Sequence, residues 1–265
     1  MTDLTPIRDA LSAVERTRDG VSETKSALDK FDATIEGIDP VGSATTVETP
    51  TAVGDGGLSM ASATPRAVDA PNRMDQVRDA FVSAFCSEGS SDDPRLVETI
   101  ERVFGTEVSS QLEPTASETY TVETERILHS AIERRRTQLE AVTQAIDIEV
   151  TSLEETLDAA DPIVEWLETT REASLLTLEF ETLFEHHETV SAHRSRCEAI
   201  VDDRQEVLHG TNSFDGRIGL AHRPFVESMY EGLEVRYPVL STMARLSADC
   251  LEYERSVRDQ LTRRV

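Results

Sequence analysis

Between Thr121 and Ala159 apolar side chains return at steps of three, four or seven residues, at Leu128, Ile132, Leu139, Val142, Ile146, Val150, Leu153 and Leu157. That spacing keeps them on one face of an α-helix and would scatter them over both faces of a strand. A stripe of this kind is buried only against further helices, so it restricts the chain to helical packing. Asp161-Pro162 is expected to break or kink the helix, with Ile163, Val164, Trp166 and Leu167 carrying the pattern on. Leu175, Leu176, Leu178, Phe180, Leu183, Phe184 and Val190 predict a second long helix that ends at His209-Gly210, an antiparallel partner for the first.

The remaining segments read the same way. Thr5 as N-cap and Pro6 at the first helical position open a helix whose seam runs through Ile7, Leu11, Val14, Val21, Leu28, Phe31, Ile35 and Ile38, interrupted by Arg18 and Lys25. Asp39-Pro40 ends it, and residues 39–71 are rich in Gly, Pro, Ser, Thr, Ala and Val without periodicity, the signature of a disordered linker. Asn72 caps a helix with Met74, Val77, Phe81 and Phe85 on one face. Asp93-Pro94 restarts a helix that Gly105 stops, and a short segment from Thr106 to Leu112 follows. A glycine-bearing loop spans Thr211 to Ala221, a short helix begins near Pro224, and Pro238 opens the last helix. No segment reads as a strand. The expected fold is all-α: an elongated helical bundle with long antiparallel coiled-coil-like helices, divided into an N-terminal amphipathic helix (1–38), a disordered linker (39–71) and a helical bundle domain (72–265).

Charge fixes the solvent better than the function. Asp and Glu number 51 against 26 basic residues, for a net charge of −25, and the only lysines are Lys25 and Lys30. Such a surface suits molar salt, where the Debye length falls to ~3 Å and like charges stop repelling. A phosphate backbone needs clustered cations. The densest basic run, Arg134-Arg135-Arg136, lies in a helix between Glu133 and Glu140 and reads as a solvated face, so a nucleic-acid partner is not expected. Cys86, Cys197 and Cys250 are isolated and odd in number, as in a reducing compartment. The N-terminus carries no signal-peptide pattern, and no apolar run approaches the ~20 residues of a membrane span. The expected location is cytoplasmic, with no membrane partner.

The stretch from Arg196-Cys197-Glu198 through Asp203-Arg204-Gln205 to Leu208-His209, with Tyr230 and Arg236-Tyr237-Pro238-Val239-Leu240, resembles an uncharacterised haloarchaeal all-helical family, domain of unknown function 7260. Ala10-Leu11-Ser12-Ala13-Val14-Glu15-Arg16 is similar to that family's opening helix, and the resemblance covers most of the chain outside the linker. It implies haloarchaeal origin and a helical fold. It implies no activity, cofactor or site residue.

Candidate sites are few. Arg204, Gln205 and His209 lie close together at a helix end, with Gln205 and His209 at i, i+4. They suggest a polar anchor for a partner or a small anion, against the plainer reading of side chains bonding nearby carbonyls and a histidine suited to the helix C-terminal dipole. His193 and Cys197, also i, i+4, have the geometry of two zinc ligands. A structural site needs two more, and only the distant Cys86, Cys250 or His186 offer them. Glu206-Val207-Leu208-His209 spells half a di-iron carboxylate motif without the second half. Phosphate loops, nucleophile elbows and HExxH are absent from the sequence, and Gly210, Gly216 and Gly219 match no dinucleotide fingerprint. No catalytic residue, cofactor or metal is expected. The helices around Phe81 to Leu112 suggest a helix-turn-helix, but the second carries Glu98 and Glu101 beside Arg95 and Arg102. The expected function is a non-enzymatic helical scaffold or interaction protein of a halophilic archaeon that contacts a protein partner or itself. The alternatives are a DNA-associated regulator and a metal-binding helical bundle.

Overall fold

The computed structural model describes residues 3–41, 72–86, 95–113, 119–214 and 218–264. Its order is α1 (Thr5–Ile35), α2 (Arg73–Phe85), α3 (Arg95–Phe104), α4 (Thr106–Leu112), α5 (Val122–Glu172), α6 (Phe180–His209), β1 (Thr211–Phe214), β2 (Ile218–Ala221), α7 (His222–Met229) and α8 (Pro238–Arg263). The fold is all-α. The expected Thr211–Ala221 loop forms a short antiparallel hairpin, in register Thr211 with Ala221 and Phe214 with Ile218. Four-residue strands stand at the lower limit of the length at which alternation is legible. Among the described residues no helix is long and apolar enough to cross a membrane. Apart from residues 39–41, the stretch read as a linker lies outside the described residues.

The chain divides into two compact units, residues 1–22 with 138–265, and residues 23–137. In the first, the opening turns of α1 are tied into their own chain. Ile7 and Val14 are fully buried in a core with Ile146, Leu153 and Ile163 of α5, and Arg8 and Arg18 pair with Asp161 (3.0 Å) and Asp147 (2.7 Å). The cap of α1 comes from Asp3, not Thr5: its Oδ1 accepts from the Thr5 amide at 2.9 Å and the Thr5 hydroxyl at 2.7 Å. α8 follows its seam without interruption through Val239, Met243, Leu246, Cys250, Tyr253 and Val257, all buried, and packs along α6.

Two boundaries differ from the periodicity. α5 runs through Pro162 to Glu172. Proline removes the hydrogen bond to the carbonyl four residues back. Pro162 and Asp158 both stand on the exposed side, where water can take that carbonyl, while Ala160, Ile163 and Leu167 keep the seam buried. α6 begins only at Phe180, because residues 173–179 form the turn that reverses the chain.

In the second unit Phe31 meets Phe81, Phe85 and Phe104 at ring-centroid distances of 5.8, 6.1 and 5.7 Å. Asn72 caps α2 as expected, accepting from the Met74 amide at 3.2 Å. Gly105 turns α3 into α4 at a φ of 90°, a conformation open to glycine and costly for other residues. The buried Arg78 donates to the Leu112 and Glu113 carbonyls at 2.9 and 3.0 Å, closing the end of α4. Two arginines of the run meet carboxylates: Arg136 pairs with Asp29, Asp32 and Glu133 at 2.7 to 3.0 Å, and Arg134 lies 3.9 Å from Glu107. On α3, Arg95, Glu98, Glu101 and Arg102 are exposed, two cations against two anions.

Candidate functional site

The most concentrated chemistry in the first unit is a buried carboxylate in the middle of α5. Glu149 is fully buried. Arg204 of α6 grips it with both terminal nitrogens, Nη2 to Oε1 at 2.6 Å and Nη1 to Oε2 at 3.0 Å, and Nη1 also donates to Ser152 Oγ at 3.0 Å. His222, the first residue of α7, places Nε2 3.1 Å from Oε2, and the Tyr230 hydroxyl, just past the end of α7, donates to Oε1. The centre thus joins α5, α6 and both ends of α7.

Burial pushes the Glu149 carboxyl upward, but hydrogen bonds from His222 and Arg204, the guanidinium charge and Tyr230 outweigh it and hold the group at about 2. Burial and the neighbouring carboxylate drive the Tyr230 phenol above its usual range. Glu149 is therefore a carboxylate, and its bond to His222 requires the tautomer with the proton on Nε2. A carboxylate offers about four acceptor positions. Four donors occupy them here, leaving none for a substrate proton or a metal. A groove of ≈ 450 Å³ between α5 and α6 reaches Ser152, Thr156, Ile200 and Arg204 but stops short of Glu149. The centre can lock helices together. It has neither the access nor the spare valence for general acid or base work.

The structure separates the predicted polar cluster. Arg204 and His209 stand about 140° apart around α6, since five residues advance ~500°. Arg204 turns inward to Glu149 while Gln205 and His209 are exposed, and His209 Nδ1 lies 2.7 Å from the Gln205 carbonyl. Glu206 also points outward. Sequence reasoning missed Glu149 and His222, and it used Tyr230 only as a mark of resemblance. A signal for Arg204 was present: Leu183, Val190, Cys197 and Arg204 recur every seven residues, so the arginine occupies a seam position.

His193 and Cys197 face different neighbours. Cys197 is buried and hydrogen-bonded to Cys250 of α8, and that contact together with burial pushes its thiol above the usual range, the opposite of a reactive thiolate. His193 lies with its ring 5.0 Å from Trp166, and its Nε2 is buried without a hydrogen-bond partner. Among the described residues no group of three or more His, Cys, Asp and Glu side chains is arranged to hold a metal. Burial lowers His193 below 6.5, so protonation is delayed in the folded chain. The unfolded chain takes its proton first, so this residue's contribution to stability is present above about 6.5 and is lost as pH falls through the folded value. Trp166 is the only tryptophan and reports on this directly. We expect its emission to be quenched on acidification with a midpoint below 6.5, and His193→Gln to remove that step. A fluorescence titration that is identical in the variant refutes the assignment.

One surface departs from the acidic exterior. In the α5–α6 turn Leu176 is 70% exposed, and on the first turns of α6 Phe180 and Phe184 are 50% and 49% exposed. Arg264, next to the C-terminus, donates to the carbonyls of Leu175, Leu176 and Leu178 and so fixes the turn that presents them.

The family described as Domain of unknown function (DUF7260) matches residues 5–254. No curated protein and no solved structure matches the chain.

Proposed function

The chain belongs to the DUF7260 family, and from that premise, which brings no activity with it, we propose that it is a non-enzymatic helical interaction protein working at molar salt through contacts with another protein. The observation that carries this reading is the exposed Leu176, Phe180 and Phe184. Two aromatic rings held half in solvent on one helix face stand outside the buried core, and aromatic anchors on a rigid element are the usual centre of a protein interface. The buried Glu149 centre supports the reading from the other side, since its donors and acceptors are turned wholly to holding the bundle. The excess of carboxylates over bases favours a halophile's cytoplasm, and the free thiols of Cys86, Cys197 and Cys250 fit a reducing compartment.

The test is affinity capture of the tagged chain from its native cytoplasm at molar salt, run beside a Phe180→Ser/Phe184→Ser variant. Both positions are half-exposed, so the variant is expected to fold. A protein recovered stoichiometrically with the native chain and lost from the variant is the expected result. Equal recovery by both forms, or recovery of the chain alone, overturns the proposal.

A further inference from the structure

We propose that the Leu176, Phe180 and Phe184 face receives a basic amphipathic helix of a partner protein, an inference that rests on the interaction reading above. Phe180 and Phe184 are at i, i+4, so they stand on one side of α6 with Cβ atoms about 5–6 Å apart, the spacing at which the apolar stripe of a docked helix places its own side chains. From Glu172 to Glu188 the sequence carries Glu172, Glu179, Glu181, Glu185 and Glu188 and no lysine or arginine, and all five glutamates are exposed.

Of the positive groups nearby, Arg264 alone is held at the turn, and the others are engaged away from it. Arg171 donates to the carboxylate and carbonyl of Asp249, Arg264 donates to the carbonyls of the turn, and His187 lies 3.7 Å from Glu254. His186 bonds the Tyr253 hydroxyl at 2.8 Å. Five exposed glutamates thus flank the apolar face, against one guanidinium, that of Arg264, held on the carbonyls of the turn. A second copy would bring the same five carboxylates against their like. A helix with leucine or phenylalanine along one stripe and arginine or lysine beside it fits both the rings and the rim.

Salt decides how the affinity is divided. With a Debye length of ~3 Å at molar salt, charge gives no long-range steering and acts only on groups in contact. The rings supply most of the binding, and the rim selects the sign of the partner's flanks.

The experiment is fluorescence anisotropy at molar salt with labelled synthetic helices: one with a leucine stripe flanked by arginine, one with the arginines replaced by glutamate, and one with the leucines replaced by serine. The arginine–leucine peptide should bind at least about tenfold more tightly than either control. Phe180→Ser/Phe184→Ser should weaken it by a similar factor with far-UV circular dichroism unchanged, and Glu181→Gln/Glu185→Gln should narrow the gap between the arginine and glutamate peptides. Failure of the arginine–leucine peptide to bind, equal binding of the glutamate peptide, or indifference to the phenylalanine variant overturns the proposal. So does light scattering that shows a dimer dissolved by the same variant, because the occupant is then a second copy. A phenylalanine-dependent partner captured from cytoplasm alongside peptide failure sinks this partner chemistry alone. Absence of any such partner sinks the interaction reading with it.

Discussion

Arg204→Ala is expected to cost about 3–5 kcal/mol of unfolding free energy, the penalty for leaving a buried charge without its counter-ion. Glu149 is fully buried and loses both guanidinium bonds and the charge that offsets its own. The remaining donors, His222 and Tyr230, can share a proton with the carboxylate but bring no permanent charge. Glu149→Gln keeps the size of the side chain and removes the charge, yet its amide turns a donor toward Arg204 and the other donors, so it should destabilise as well. Combining Arg204→Met with Glu149→Met removes both charges and should recover part of the loss; it does not recover all of it, because His222 and Tyr230 then lack an acceptor. Urea unfolding at constant molar salt measures the set. If Arg204→Ala unfolds within about 0.5 kcal/mol of the native chain, the centre is not holding α5 to α6. The pH dependence follows with a definite sign. Glu149 falls from an ordinary 4.5 to about 2 in the folded chain, so its contribution is complete above about 4.5 and is lost as pH drops from there toward 2.

That centre also shows what the sequence could reveal. Helices were legible wherever an apolar stripe repeated over several turns, as in α5 and α8, and where a cap residue stood in front, as with Asn72. The seam rule assigns buried positions to apolar residues, and so it passed over Arg204 even though the seven-residue spacing from Leu183 placed it there. Glu149 gave less warning. It sits beside Val150 among many glutamates, and its partner is 55 residues away, a pairing that exists only once α5 and α6 are packed. Pro162 marked a break or a kink, and the helix does not break there, because the carbonyl it frees lies on the exposed side of α5. The exposed Phe180 and Phe184 looked like core because hydrophobicity was taken as burial. The helix start at Phe180, set by the turn before it, decides which residues face out.

Dialysis to below about 0.5 M salt should abolish most of the helical far-UV signal, through repulsion among carboxylates that molar salt screens. The effect is visible locally on α5. Between Thr151 and Thr170 the helix carries Glu154, Glu155, Asp158, Asp161, Glu165 and Glu168 and supplies no base of its own. Glu154 with Asp158 and Asp161 with Glu165 are i, i+4 pairs of like charge, with side chains about 5–6 Å apart. At molar salt the Debye length of ~3 Å is shorter than that distance; at 0.1 M it is ~10 Å, and each carboxylate feels neighbours a further turn away. A few tenths of a kcal/mol per pair, summed over the many carboxylates of a chain with net charge −25, is comparable with a domain's whole stability. The buried Glu149 and Arg204 are sealed from the ions, so Arg204→Ala should lower stability by a similar amount at each salt concentration while the salt midpoint of the native chain is set by the surface. Sucrose, which strengthens burial by exclusion and screens no charge, should restore little of the signal that potassium chloride restores. Circular dichroism that is unchanged on desalting, or recovered equally by sucrose, would mean that the carboxylate surface is not what ties this fold to salt.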